Sequence, residues 1–248
     1  MTVMKQRLCA GERLLGALVR MPAEELVEMA GVAGFDYVLI DCEHGPADLI
    51  PLRQHIAAAQ VHGMEVLVRV GQREPALIQR VLDHGATGVV VPHVDDAGQA
   101  AAVVHAARYP PVGDRGFATY GRAGRYGTVT AAEHLAADER ETIVIAMVES
   151  TAGCRNTAEI VAVPGIDGVM VGPADLAVSM GVVGPADPAV LAEIEKVHVT
   201  IAGRGLIRLD IVPSEERAAA AFDSGAGLVV INLSHVLMET FAKLRSVR

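Results

Sequence analysis

The chain has 248 residues, 51% of them hydrophobic, and a formal net charge of −9 at pH 7. This length and composition suffice for one large core, and they fit a single α/β barrel domain over residues 1–248 better than two small domains. The acidic balance argues against nucleic acid as a partner, because a polyanion is bound by a clustered basic surface. The composition therefore favours a protein that acts on small molecules.

The cysteines and the absence of apolar segments indicate where the chain resides. The chain has three cysteines, Cys9, Cys42 and Cys154, and no CxxC motif. An odd number of unpaired cysteines is typical of a protein in a reducing compartment. No window approaches the roughly 18 consecutive apolar residues of a membrane span, and no basic region with an apolar signal core begins the chain. We expect a cytoplasmic protein with no membrane partner.

Short β-branched runs alternate with alanine-rich segments along the whole chain. The runs predict eight strands, at residues 14–19, 37–41, 65–69, 88–92, 142–149, 168–172, 205–211 and 227–232. Apolar residues recur at helical spacing between them, as in residues 23–31, 51–62, 75–84, 97–108 and 188–202. Two periodicities in regular alternation are the signature of βα units. Eight such units predict a (β/α)8 TIM barrel.

One predicted connection, between residues 94 and 141, is far longer than the others. A predicted helix, residues 97–108, accounts for only part of it. The connection includes residues 108–117 and 120–126, which are rich in glycine, proline, arginine and tyrosine. Long ordered loops on barrels usually serve a binding site or a subunit contact. We expect one of these roles here.

Four predicted strands lead directly into polar or glycine-rich motifs. Asp41 closes the second strand, with Glu43 and His44 after it, and Arg69 closes the third. Glu149 closes the fifth strand, and the sixth leads into Gly172 and Asp175. Because the carboxyl ends of parallel strands meet at one rim of a barrel, these side chains are expected to converge there.

Glu149 and Asp175 end successive predicted strands, so their carboxylates can bind one hard divalent cation through oxygen. Mg²⁺, Mn²⁺ or Co²⁺ suits such ligands. The alternative for each acid is a cap on the helix that follows.

His44 and Arg69 carry the other chemistry of the predicted rim. An imidazole beside carboxylates can act as a general acid or base near neutral pH, although a structural histidine is the alternative. The planar fork of Arg69 suits a substrate carboxylate or an enolate oxygen, with an internal salt bridge as its alternative. His93, Arg122 and Arg125 could bind a second substrate carboxylate or could simply be solvated.

Five motifs in this order resemble the HpcH/HpaI aldolase family, the class II pyruvate aldolases that include 4-hydroxy-2-oxoheptanedioate aldolase and 2-dehydro-3-deoxyglucarate aldolase. They lie at residues 33–46, 68–70, 81–86, 108–116 and 165–176. The resemblance covers most of the chain. It implies a TIM barrel of the phosphoenolpyruvate/pyruvate-domain type.

The resemblance also implies a role for each site residue. Glu149 and Asp175 would be the metal ligands, and Arg69 would stabilise the pyruvate enolate. His44 and Asp83 would form the acid–base pair. The substrate would also be bound at Gly172, Pro173 and Ala174, with its carboxylate on backbone amides around Ala174 and Asp175.

Retro-aldol cleavage of a 4-hydroxy-2-oxo acid to pyruvate and an aldehyde, through a metal-bound pyruvate enolate, is the implied reaction. The family assembles as hexamers built from dimers, so Asp83 or the long connection is expected to act in a neighbouring subunit. A Schiff-base route is disfavoured, because no predicted strand ends on a lysine.

Two other functions remain open for this sequence. The same site could form citrate in siderophore synthesis or decarboxylate oxaloacetate, since the wider family resembles both kinds of enzyme. A non-catalytic binding or scaffolding barrel is the third possibility, but it leaves the four rim residues His44, Arg69, Glu149 and Asp175 without a purpose.

Overall fold

Eight parallel strands close into a barrel in chain order, with the last strand pairing back to the first. The computed structural model of the chain describes residues 3–45, 49–71 and 74–246, so Pro46 of the first quoted motif lies outside the described residues. The predicted (β/α)8 barrel is confirmed, and predicted and observed strand ends agree within two residues. The strands are β1 (Leu14–Val19), β2 (Tyr37–Asp41), β3 (Glu65–Arg69), β4 (Gly88–Val91), β5 (Ile143–Val148), β6 (Gly168–Val171), β7 (Ile207–Val212) and β8 (Leu228–Asn232).

Helices surround the barrel, because every connection from one strand to the next contains at least one helix, and α11 follows the last strand. Helix α1 precedes the barrel, and its fully buried Met4 packs among the interior side chains, so α1 closes the bottom. Among the helices of the described residues, none is long and apolar enough to cross a membrane. They are α1 (Met4–Cys9), α2 (Glu24–Val32), α3 (Leu49–Val61), α4 (Pro75–Asp83), α5 (Ala97–Ala107), α6 (Ala131–Glu141), α7 (Thr151–Ile160), α8 (Pro173–Met180), α9 (Pro188–Arg204), α10 (Glu215–Asp223) and α11 (Leu233–Arg245).

The alternation of side chains along each strand decides which polar groups enter the barrel. Tyr37 and Leu39 of β2 are fully buried in the interior cluster, as is Leu67 of β3. Since every second residue points the same way, Asp41 and Arg69 are the next inward-facing residues at the carboxyl ends of their strands. The parallel register pairs these two residues directly. The sequence pattern thus places a charged pair inside the top of the barrel.

The long connection between α5 and α6 lies at the bottom of the barrel, beside the carboxyl ends of α3 and α4. The amide of Ala123 donates to the carbonyl of Asp83, and Arg122 donates to Gln60. A short 3₁₀ helix, Arg125–Gly127, is its regular part. Together with α6 this segment lines an open cavity of about 770 Å³. The connection is therefore remote from the rim of its own chain.

Candidate active site

The Asp41–Arg69 ion pair forms the floor of the site. Arg69 Nε donates to Asp41 Oδ1 over 2.9 Å, and Nη2 donates to Oδ2 over 2.6 Å. The side chain of Asp41 is 0% exposed and that of Arg69 is 6% exposed. Burial disfavours the Asp41 carboxylate, but the hydrogen bonds and charge of Arg69 outweigh that cost, so the pKa of Asp41 is lowered. This two-point contact fixes the guanidinium plane.

Arg20, the first residue after β1, is a further cation at this floor. Its Nε donates to Asp41 Oδ2 over 2.7 Å, and its side chain is one-third exposed. Asp41 therefore carries one negative charge between two guanidinium groups. Arg20 was missed in the sequence, although it follows a predicted strand just as Asp41 and Arg69 close theirs.

The segment after β2 is folded back over Asp41. The amides of Glu43 and His44 both donate to Asp41 Oδ1 over 3.2 Å. This turn directs the mostly buried Glu43 carboxylate toward Arg69, with Oε2 3.2 Å from Nη1. His44 instead stands at the surface of the rim, where its side chain is 55% exposed and Nε2 lies 3.8 Å from Glu43 Oε2. His44 is thus accessible to a molecule entering the rim.

Glu149, the residue directly after β5, is a deeply buried carboxylate of the rim. Its side chain is 2% exposed, and Oε1 accepts the backbone N–H of His93 over 2.7 Å. Burial raises the pKa of Glu149, and the charges of Glu43 and Asp175 add to that effect against the opposing contribution of His93. A buried carboxylate that is costly to ionise gains most from a bound cation.

Three of these groups lie close enough to share a metal ion. Ligand atoms of Glu43, His93 and Glu149 all lie within 4.8 Å of one another. Carboxylate oxygens with one imidazole nitrogen form a donor set that fits a divalent cation. The surroundings of Glu149 thus suit the predicted metal site. Two of its neighbours, Glu43 and His93, were not assigned to the metal in the sequence.

Asp175 lies in the first turn of α8, and its side chain is exposed. It is close enough to Glu149 for its charge to raise the pKa of that group. Helix α8 begins with Gly172 as its N-cap and Pro173 at its first position. Gly172 lies against Glu149, because a Cβ there would be 2.6 Å from Glu149 Oε2. The structure therefore brings Glu149, Asp175 and the segment 172–174 to one rim.

Asp83 lies elsewhere, at the carboxyl end of α4 and thus at the bottom of the barrel. Its Oδ1 accepts Arg115 Nη2 over 2.6 Å, and the same guanidinium binds Asp138. Within one chain, Asp83 and His44 are therefore at opposite ends and form no pair. Arg122 and Arg125 also line the cavity at the bottom, whereas His93 is on the rim.

The fold and the rim define a barrel with a fixed arginine and an acidic edge. A model of the HpcH/HpaI aldolase/citrate lyase family matches residues 18–232. The chain belongs to this family, as the motifs of the sequence predicted.

Two relatives align over most of the chain. The chain is 39% identical over 193 residues to the 2-dehydro-3,6-dideoxy-6-sulfogluconate aldolase of Pseudomonas putida, covering 77% of this chain and 75% of that protein. It is 36% identical over 243 residues to the hydroxypyruvate/pyruvate aldolase of Pseudomonas aeruginosa, covering 97% and 90%. These likenesses confirm the predicted class of enzyme, a carbon–carbon lyase.

Solved structures agree with the fold. An HpcH/HpaI aldolase from Desulfitobacterium hafniense DCB-2 superposes with a TM-score of 0.92 at 27% identity, covering 100% of this chain and 97% of that one. A citrate synthase superposes with a TM-score of 0.88 at 26% identity, covering 98% and 96%. The same barrel is therefore found in an aldolase and in a citrate-forming enzyme.

Proposed function

We propose that the protein is a class II aldolase that cleaves a 4-hydroxy-2-oxo acid to pyruvate and an aldehyde. The observation that carries this proposal is the rim itself, where the fixed Arg69 faces a group of carboxylates around the buried Glu149. Such a site combines a cation-binding edge with a positive group for an enolate oxygen. Relatives named as aldolases support it.

Glu149 and Asp175 would hold the divalent cation, with Glu43 and His93 beside them. Mg²⁺, Mn²⁺ or Co²⁺ is the proposed cofactor, because oxygen donors dominate the rim. When bound, the cation would polarise the 2-oxo group of the substrate. The residues around it have the further tasks of orienting the substrate and moving protons.

The pyruvate half of the substrate is proposed to lie between Arg69 and the beginning of α8. Backbone N–H groups at a helix N-terminus bind a carboxylate. Ala174 and Asp175 would supply such groups here, because the Gly172 N–H donates to the carbonyl of Val148 and Pro173 has none. Pro173 would instead fix the backbone at the first position of the helix. Arg69, already oriented by Asp41, would donate to the oxygen that becomes negative.

His44 is proposed as the acid–base group, because its imidazole is 55% exposed at the rim and lies beside the Glu43 carboxylate. It would accept the proton of the 4-hydroxyl while the C3–C4 bond breaks. The electron pair of the C3–C4 bond would pass into the enolate of pyruvate as the aldehyde leaves. Protonation of the enolate at C3 then gives pyruvate. Asp83 can take part only from a neighbouring subunit, given its place at the bottom of its own barrel.

Self-association is part of the proposal, as a hexamer or trimer of dimers. Helix α11 has no buried residue and leaves Met238, Phe241 and Leu244 more than half exposed. An apolar face of this kind marks a contact surface. We further propose that residues 1–248 act as one domain and that the protein is cytoplasmic, in keeping with its three free thiols.

The alternative is a citrate-forming enzyme or an oxaloacetate decarboxylase on the same site, and the likeness to the citrate synthase favours keeping it. Pyruvate release from a panel of 4-hydroxy-2-oxo acids, with Mg²⁺, Mn²⁺ or Co²⁺ and with EDTA, tests the aldolase. Oxaloacetate is assayed in parallel with and without acetyl-CoA. Metal-dependent release from the panel supports the aldolase, whereas turnover of oxaloacetate alone would transfer the assignment to the alternative.

A further inference from the structure

Arg20 is a cation of the rim that has no task in the chemistry proposed above. In β1, Leu18 belongs to the cluster of interior side chains and Val19 to the outer one. Because side chains alternate along a strand, Arg20 points into the barrel, where its Nε meets Asp41 Oδ2. The register of β1 and β2, continued by one residue, brings Arg20 beside Asp41. Arg20, Asp41 and Arg69 thus form one row across three neighbouring strands.

Most of the hydrogen-bond donors of Arg20 are unused. A guanidinium has five N–H groups, and Arg20 donates to Asp41 from Nε alone. Among the residues that the structure describes, none accepts a hydrogen bond from either Nη of Arg20. Asp41 already accepts two hydrogen bonds from Arg69, so its single charge does not depend on Arg20. Arg20 is therefore a partly exposed positive group, oriented by Asp41 and open toward the rim.

The position of Arg20 corresponds to the far end of the substrate. Gly45 packs on the backbone of Arg20, because a Cβ there would lie 2.9 Å from the Arg20 carbonyl oxygen. The segment that carries His44 is therefore next to Arg20. In the closed barrel, β1 is four strands away from β5 in either direction, so Arg20 lies across the rim from Glu149. A substrate with its 2-oxo group near Glu149 and its C4 near His44 would direct the groups beyond C4 toward Arg20.

We propose that Arg20 is a specificity-determining residue for the aldehyde half of the substrate, and that its Nη groups donate to a carboxylate at the end of that half. The inference rests on the proposed aldolase function and deepens it. A planar guanidinium matches a carboxylate with two parallel hydrogen bonds, and an uncharged tail would leave those donors unpaired. Arg122 and Arg125, the other arginines considered for a second carboxylate, line the cavity at the bottom of the barrel.

The test compares pyruvate release from two pairs of substrates that are matched in chain length. 4-Hydroxy-2-oxopentanedioate and 4-hydroxy-2-oxoheptanedioate carry a second carboxylate, whereas 4-hydroxy-2-oxopentanoate and 4-hydroxy-2-oxoheptanoate end in a methyl group. The value of kcat/KM is measured with Mn²⁺ for the full chain as wild type, Arg20→Gln and Arg20→Lys. Arg13→Gln is the matched control, because Arg13 lies just before the opposite end of β1 and its side chain is 56% exposed.

We expect the wild type and Arg13→Gln to prefer the dicarboxylate of at least one pair. The ratio of kcat/KM within that pair should fall by about 10- to 100-fold in Arg20→Gln, the worth of a charge-assisted hydrogen bond, and recover in part in Arg20→Lys. If Arg20 only supports Asp41, both members of the pair lose kcat/KM equally and the ratio stays constant.

A constant ratio, or a wild type that prefers neither dicarboxylate, would overturn the inference but leave the aldolase proposal standing. A wild type that releases pyruvate from none of the four substrates, nor from any other 4-hydroxy-2-oxo acid of the panel, would refute the aldolase proposal and the inference with it.

Discussion

Gly172→Ala should disable the proposed metal site without replacing any of its proposed ligands. A Cβ at this position would lie 2.6 Å from Glu149 Oε2 and 2.8 Å from Glu149 Cβ. Ordinary contacts between carbon atoms are about 3.5–4.0 Å, so the two groups would have to separate by about 1 Å. The backbone of Gly172, with φ −93° and ψ 92°, is open to alanine. The effect would therefore come from the contact alone.

The magnitude follows from what can move. Glu149 Cβ is attached to the end of a buried strand, so the variant is expected to shift either the carboxylate or the start of α8. Overpacking of this kind costs about 1–3 kcal/mol of stability. Because metal ligands tolerate displacements of only about 0.2 Å, we expect metal affinity to fall by about 10- to 100-fold or more.

Calorimetric titration of Mn²⁺ into the metal-free protein, paired with urea denaturation, measures both effects. Gly203→Ala is the matched control, because a Cβ there meets nothing within 4 Å and α9 ends at the bottom of the barrel. The control should bind Mn²⁺ like the wild type. If Gly172→Ala also binds Mn²⁺ with wild-type affinity, the packing of Gly172 on the metal ligand does not matter and the reasoning is wrong.

Three further predictions concern stability and thiol reactivity. Asp41→Asn removes the two-point counter-charge of the buried Arg69 and leaves it the single contact with Glu43, so urea denaturation at pH 7 should show a loss of up to about 3–5 kcal/mol; an equally stable variant would contradict this. Because the pKa of Asp41 is lowered in the fold, its stabilising contribution is complete above the ordinary aspartate pKa of about 3.9 and is lost as pH falls through the lower folded value. The difference in unfolding free energy between wild type and Asp41→Asn should therefore shrink in acid, and a constant difference would refute the assignment. Burial raises the pKa of Cys42 to about 12, so a thiol reagent at pH 8 should label the exposed Cys9 well before Cys42 in the native protein; rapid labelling of Cys42 would show that it is accessible.

The fold was predictable because the periodicity of this chain is regular. β-Branched runs of four to six residues alternate with helical segments, and no other common architecture requires eight such units. The rim was predictable for the same reason, since Asp41, Arg69 and Glu149 each stand at the end of a predicted strand. The sequence pattern does not show which charged side chains pair with each other at the rim. The Arg69–Asp41 pair depends on strand register, which the residues themselves do not encode locally.

His93 and Asp83 are two residues whose surroundings were not predicted from the sequence. His93 follows a proline outside any periodic segment, so nothing in the sequence indicates its φ of 54° or the position of its ring, 3.5 Å from Glu43 Oε1 and 3.0 Å from Glu149 Oε1. Asp83 lies in a motif that resembles the family, yet the end of a helix is always the bottom of a barrel. Its place at the bottom could therefore have been deduced from the predicted helix, whereas its ion pair with Arg115 depends on how the long connection folds.

The central claim is that a divalent cation held at the rim is required for release of pyruvate. The most direct measurement is the rate of pyruvate release from a 4-hydroxy-2-oxo acid by chelator-treated protein before and after Mn²⁺ is restored, in the wild type, Asp175→Ala and the exposed-surface control Glu139→Ala. The claim predicts that Mn²⁺ restores the wild type and the control but not Asp175→Ala. Undiminished release by the chelated wild type, or full recovery of Asp175→Ala, would contradict it.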